Sequence, residues 1–371
     1  MVVAFLGGIT IGSFLNAVIY RLPRNLTLLE PKHSICPICK NSLGPIDLIP
    51  LLSFLALGRK CRQCKAPISW RYFNVELLTG ALFVALYYRV VVLGTNLHYD
   101  APECIALLLF TAVLIPIFFI DLATFTIPTS LNILVFLIPL GRDLWGVATH
   151  EPGHAPLWGW LPPSIFGAVV GVLIFGAVRV GGWLWKRQEA MGLGDVLLAR
   201  GMGAMLISAV PPEIAANGPF SLLRLFPLWV LFACLSGIIV GLVMIRLRAP
   251  AVASVSADNP GENAEEDEDE EGTLLKQLGA IGDCLILGDL WGYLVYNIPP
   301  LRKWVCRNPS LRKWLCPPIE ERPEPEFVPA PSAIPFGPFM VIGFLATVFC
   351  GEPLTAWYLA YALPKPTEPP M

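Results

Sequence analysis

The sequence predicts an all-α, polytopic membrane protein with about eight transmembrane helices and a zinc-stapled cytoplasmic loop. Three observations carry this. The 371 residues are 55% hydrophobic and only 15% charged, with mean hydropathy +0.63, whereas soluble domains run about 25% charged. Apolar runs of about 20 residues, long enough to cross a bilayer as helices, recur along most of the chain. Lys and Arg collect in alternate loops between those runs, the pattern of loops that stay on the cytoplasmic side.

The formal net charge of −2 is dominated by one segment. Glu262, Glu265, Glu266, Asp267, Glu268, Asp269, Glu270 and Glu271 supply eight of the 28 acidic residues. The rest of the chain holds 26 basic against 20 acidic residues, a balance of +6. The basic charge marks topology, because no basic face is interleaved with aromatics. A lipid bilayer is the expected partner, and nucleic acid is not.

Residues 1–20 form the first span (VVAFLGGITIGSFLNAVIY at 2–20). Arg21 and Arg24 follow it where a signal peptide would carry a small-residue cleavage site, so it is read as retained. Residues 21–72 form a basic loop, with nine Lys and Arg against Glu30 and Asp47. Within it, Cys36-Pro-Ile-Cys39 and Cys61-Arg-Gln-Cys64 are two CxxC knuckles separated by 21 residues. Each knuckle sets two thiolates on one tight turn, and two at about this separation suit a tetrahedral structural zinc site. A cytoplasmic loop disfavours disulfides, and two CxxC motifs without a βαβ context disfavour a redox pair. The other six cysteines are scattered and read as ordinary small residues.

A bundle over 73–248 follows, with runs near 73–94, 101–120, 130–148, 163–185, 195–211 and 222–245. The run at 130–148 is interrupted by Pro139, Arg142 and Asp143, and the run at 195–211 by glycines. Lys186, Arg187, Arg246 and Arg248 mark two further basic loops, while loops near 95–100, 149–162 and 212–221 carry no Lys or Arg. The N-terminus is therefore expected outside, with 21–72 and 249–335 cytoplasmic. Gly8/Gly12, Gly167/Gly171 and Gly237/Gly241 are small-xxx-small pairs that let helices approach closely.

Ionisable groups at membrane depth are functional candidates. Asp121 closes the third span (PIFFIDLATFTIP) and Asp195 opens the sixth (MGLGDVLLARGMG). The expected topology brings both to the cytoplasmic rim. Two converging carboxylates can share a proton, one activating water while the other acts as acid. Gly192 and Gly194 allow close approach of substrate backbone. The alternative for Asp195 is simple compensation of a helix dipole. Asp47 and Asp143, outside the paired motifs, are expected to tolerate substitution. Asn16, Arg21, Arg71 and Glu76 flank the cytoplasmic loop, either as a polar pocket or as interfacial anchors.

Residues 249–335 form an acidic, Pro-rich insert expected to be largely disordered. They hold a repeat, LRKWVC at 301–306 and LRKWLC at 311–316, with no assigned catalytic role. Residues 336–371 make the last span and tail.

The chain resembles the type IV prepilin peptidases, the prepilin leader peptidase/N-methyltransferases, which are GxGD-type membrane aspartic proteases. The matching stretches are GSFLNAVIYRLPR at 12–24, CPIC at 36–39, CRQC at 61–64, PISWRYFNVELLTG at 67–80, IDLATFTIP at 120–128, GLGDV at 192–196 and IPFGPFM at 334–340. The resemblance implies an inner-membrane enzyme acting on prepilins or type II secretion pseudopilins. Such an enzyme cleaves a short basic leader after glycine, then methylates the new N-terminal residue with S-adenosylmethionine. Asp121 and Asp195 carry over as the catalytic pair. Asn16, Arg71 and Glu76 are the candidates for the methyl-transfer half. The family often has Asp where this chain has Thr129, and commonly Lys where it has Leu197. A peptidase without methyltransferase activity and a non-catalytic transporter or scaffold are the competing readings.

Overall fold

The computed structural model describes residues 1–24, 26, 34–36, 38–93, 97–151, 161–186, 191–208, 223–248, 281–282 and 335–362. The acidic run, the LRKW repeat and the loop at 212–221 lie outside the described residues. Among those described, the elements are helical, with two isolated β-bridges and no strand.

The long helices are α1 (Val2–Arg21), α3 (Trp70–Tyr87), α4 (Leu97–Thr124), α5 (Thr129–Ala148), α6 (Pro163–Lys186), α7 (Leu193–Ser208), α8 (Phe226–Arg248) and α9 (Gly337–Ala362); the short α2 (Leu52–Ala56) lies in the cysteine loop. All eight expected spans are therefore helical. Six of the described helices are long and apolar enough to cross a membrane, and the chain is a multi-pass membrane protein. Two fall short of the expectation. α7 has 16 residues, about 24 Å at 1.5 Å per residue against a hydrocarbon core of about 30 Å. In α9 the apolar described part is Gly337–Gly351.

The chain divides into two compact units, Met1–Ser164 with Ser208–Ala216, and Ile165–Ile207 with Asn217–Met371. In the first, α1 and α3 meet backbone to backbone. A Cβ on Gly8 would lie 2.8 Å from the Gly80 Cα, and one on Gly12 would lie 2.8 Å from the Glu76 Cα. No side chain fits there, which is why glycine recurs at this spacing. In the second unit, α6 and α7 touch in the same way: a Cβ on Gly167 would stand 2.3 Å from the Gly203 carbonyl oxygen. The third expected pair behaves differently. A Cβ on Gly237 would meet the Phe339 ring at an ordinary 3.6 Å, and the tight crossing of α8 and α9 is at Gly343, where a Cβ would lie 2.6 Å from the Ala233 nitrogen. Trp229, fully buried, donates its indole N–H to the Met340 carbonyl at 3.2 Å and fixes that pair.

The structure separates the two aspartates expected to tolerate substitution. Asp47 pairs with Arg62 at 2.7 Å, an Arg whose side chain is 54% exposed. Exposed pairs contribute little. Asp143 is fully buried; it accepts the Ser164 backbone N–H and, at 2.9 Å, the Ser208 hydroxyl. Its neighbour Arg142, also buried, pairs with Glu151 at 2.7 Å and Glu103 at 3.3 Å. Burial, which motif position does not reveal, makes Asp143 a structural residue. Asp143→Ala strands a buried N–H and is expected to cost about 2–4 kcal/mol. Asp47→Asn is expected to cost under about 1 kcal/mol. Thermal melting in detergent checks this, and equal melting of the two variants would refute the distinction.

Candidate functional site

The two cysteine knuckles fold as copies of one another. In the first, the Cys36 N–H binds the Asn41 carbonyl at 3.0 Å and the Lys40 N–H binds the Cys36 carbonyl at 2.9 Å. In the second, the Cys61 N–H binds the Ala66 carbonyl at 2.9 Å and the Lys65 N–H binds the Cys61 carbonyl at 3.0 Å. Each closes with a bridge at the same offset, Ile35 to Ser42 and Lys60 to Pro67. Each also places a lysine in the left-handed region, Lys40 at φ 59° and Lys65 at φ 60°. A non-glycine residue takes that conformation only where the surroundings over-determine it, and here the turn that aims both sulfurs inward requires it.

The four Sγ atoms lie within 4.8 Å of one another, and Cys36 Sγ stands 3.9 Å from Cys64 Sγ. Four thiolates around one zinc at 2.3 Å would sit about 3.8 Å apart, so the set is compatible with a closed structural metal site. Cys36 is drawn down to about 7, first by the Cys39 backbone N–H. Cys64 is pushed up to about 11: the Ala66 N–H lowers it, but burial and its three sulfur neighbours outweigh that. Four sulfurs this close cannot all ionise unless a cation joins them. Beside them, the Arg62 guanidinium holds the Asp47 carboxyl below the usual carboxylate range. That clamp is therefore intact at neutral pH and is lost only as pH falls through the lowered range.

Between the knuckles and the touching helices α1 and α3 lies a cavity of about 380 Å³, within the size range of small-molecule sites. Asn16, Arg21, Asp47 and Glu76 give its wall polar character, and Phe54 and Leu57 are among its apolar lining. Asn16 is 2% and Glu76 8% exposed. Asn16 donates from Nδ2 to the Tyr72 carbonyl at 3.0 Å, and Glu76 accepts the Leu51 N–H at 2.8 Å. Leu51 has φ 60°. Phe54, which lines the cavity, packs in an aromatic cluster with Trp70 and Phe73, with ring centroids 5.3–5.8 Å apart. Of the expected polar group, Asn16, Arg21 and Glu76 thus line one cavity. Arg71 stands elsewhere, with its guanidinium 5.5 Å from the Tyr72 ring centroid.

Asp121 is 4% exposed in the last turn of α4. The helix ends there because the Phe125 N–H returns to the Asp121 carbonyl at 2.9 Å and Phe125 adopts φ 56°, a left-handed C-cap made without glycine. Pro128 then starts α5. In the second unit Asp195 is half-buried in the first turn of α7, with its N–H on the Gly192 carbonyl at 3.2 Å. Gly192 is exposed, and a Cβ there would stand 3.4 Å from Asp195 Oδ2. The buried Arg179 of α6 donates to the Met191 carbonyl, immediately before this turn. Sequence reasoning missed that residue, although a single Arg inside the apolar run GVLIFGAVRV was a visible signal.

Two family models match in succession. Residues 6–90 match the bacterial peptidase A24 N-terminal domain, and residues 108–242 the type IV leader peptidase family. A prepilin leader peptidase/N-methyltransferase of Myxococcus xanthus is 31% identical over 356 residues, covering 94% of this chain and 89% of that protein. The chain belongs to the prepilin leader peptidase/N-methyltransferase family. A member from Pseudomonas aeruginosa is 33% identical over 65% of this chain and 79% of its own length. A type 4 prepilin-like proteins leader peptide-processing enzyme of Escherichia coli is 33% identical over 58% and 80%. No solved structure matches the chain. Within this family assignment, the N-terminal match contains the whole of the cysteine site and cavity, and the second match contains both aspartates.

Proposed function

We propose that the protein is an inner-membrane peptidase and methyltransferase for prepilins or pseudopilins, with Asp121 and Asp195 as its catalytic pair. The observation that carries the reading is the family match running through both aspartate-bearing stretches. In cleavage, one carboxylate takes a proton from water as the water oxygen bonds to the scissile carbonyl carbon. The other carboxyl protonates the departing amine as the C–N bond breaks. The open surface at Gly192 leaves room for an extended substrate backbone beside Asp195. Orientation follows the basic loops, with the N-terminus outside and residues 21–72 cytoplasmic.

The donor set of Cys36, Cys39, Cys61 and Cys64 fits zinc. Four protein ligands leave no position for water, so the metal's role is to hold the loop. The methyl-transfer half is assigned to the cavity beside it, where Asn16 and Glu76 lie. S-adenosylmethionine supplies an electrophilic methyl group when bound, and the new α-amine must reach it deprotonated and aligned.

The two activities separate by mutation. A pre-cleaved pilin peptide presented in detergent with S-adenosylmethionine is expected to be methylated by the Asp195→Asn protein at close to the wild-type rate. Mass spectrometry of the peptide reads this directly. Wild-type protein that cleaves prepilin and leaves its amine unmethylated at saturating cofactor would leave the monofunctional peptidase standing.

A further inference from the structure

The cysteine loop carries one strongly apolar stretch. Residues 45–57 (PIDLIPLLSFLAL) hold a single charge in thirteen positions, Asp47, and Arg62 pairs with it. The stretch has two sides. Leu48, Phe54 and Leu57 line the cavity. Ile46, Ile49, Leu52 and Leu55 are exposed, Ile46 by 69%, Leu52 by 66% and Leu55 by 60%. Large apolar side chains this exposed, four within ten residues of a loop, mark an interaction surface.

Two contacts set how deep the stretch lies. The Leu51 N–H donates to Glu76 at 2.8 Å, and Phe54 packs on Trp70 and Phe73. α2 therefore runs beside the first two turns of α3. Glu76 in turn lies level with Gly12, where the helix backbones meet. Gly12 stands nine residues before Arg21, the end of α1, which is about 13 Å along the axis. Arg21 and Arg24 close the first span, and arginines at a span end sit among the lipid headgroups. That layer is about 5–7 Å thick on each side. Leu51 thus lies below it, at the edge of the hydrocarbon.

We infer that residues 46–55 enter the bilayer as an interfacial ridge, with Ile46, Ile49, Leu52 and Leu55 among the acyl chains. The leaflet is the one on the loop's side, the inner leaflet in the proposed orientation. Interfacial segments bury their apolar face about 5–10 Å into the headgroup and acyl boundary, which matches the depth at which Glu76 holds Leu51. Charge completes the fit. Arg59, Lys60, Arg62 and Lys65 follow the stretch and are exposed, a basic group suited to anionic headgroups. Trp70, exposed at the start of α3 with the Arg59 guanidinium 4.8 Å from its ring centroid, is a side chain that favours the interface. Lipid is already at this depth, and a soluble partner is not.

The test uses the wild-type full chain in nanodiscs of phosphatidylethanolamine and phosphatidylglycerol, doped with a phospholipid carrying a diazirine on its acyl chain. After illumination, digestion and mass spectrometry locate the lipid adducts. Residues 46–55 are expected to label as strongly as the exposed Val3 and Leu6 of α1. They should exceed residues 59–65, whose cations stay among the headgroups, by about tenfold. Labelling of 46–55 no stronger than that of 59–65 overturns the inference.

Leu52→Glu with Leu55→Glu is the paired variant. Carboxylates are costly among acyl chains, so labelling of 46–55 is expected to fall to the level of 59–65 while α1 labels as before. Undiminished labelling of 46–55 also overturns the inference. The wild-type readout needs no substitution, so it stands if this variant misfolds. A benzophenone amino acid at Leu55, illuminated in whole membranes, separates lipid from protein. A lipid adduct supports the ridge, and a dimer-sized or larger adduct replaces it with a protein contact.

Discussion

Asp121→Asn and Asp195→Asn are each expected to reduce leader cleavage by about a thousandfold or more while leaving the protein inserted in the membrane. A positioned acid or base contributes roughly 10² to 10⁴ in rate, and members of a unit that works together fail together. The double variant should therefore be little worse than either single one. The two side chains are set at opposite kinds of helix end, Asp121 in the last turn of α4 and Asp195 in the first turn of α7. Amide replacement keeps the shape of each, so the loss isolates proton transfer. Gel-shift assay of a prepilin in proteoliposomes checks it. Substantial cleavage by one single variant removes that residue from the mechanism.

The second large effect concerns the metal. Purified protein is expected to contain about one zinc per chain, and Cys36→Ser with Cys39→Ser is expected to lose it, because two remaining thiolates cannot close a tetrahedral site. Binding energy at such sites is also folding energy, on the order of 10 kcal/mol. The loop should therefore lose its packing on α3, where Phe54 meets Trp70 and Phe73. Elemental analysis and limited proteolysis of the loop read the two consequences separately. Full zinc in the double variant would end the assignment.

The cysteine site was legible in the sequence because metal-ligand chemistry is local. Two turns carry all four thiols, and their spacing survives any tertiary context. The helices were legible from length and apolarity, and the family from motifs in order. What escaped depends on packing. Asp143 sits outside every motif, and only burial against Ser164 and Ser208 makes it structural. The glycine of closest approach between α8 and α9 is Gly343, not Gly237, because a small-xxx-small pair states where a helix is thin and not which neighbour uses it. Lys40, Lys65, Leu51 and Phe125 hold positive φ at positions where propensity favours glycine, so the turns they build carry no compositional mark. Asn16 and Glu76 were readable as polar residues near a loop. That they border one cavity follows from the crossing of α1 and α3, which the sequence does not display.

That crossing has a consequence for chemistry. Gly12 sits one helical turn before Asn16, and its missing side chain is what lets α1 rest on the Glu76 backbone, where an added Cβ would come within 2.8 Å. The separation between an acceptor on one helix and an acceptor on the other is thus calibrated by a hydrogen atom. A single methyl group at residue 12 would act as a shim, spreading the jaws that hold Asn16 and Glu76 without touching either. The shape of the cavity at this end of the molecule is then a matter of mechanical tolerance, set by how thin one helix is where it leans on another.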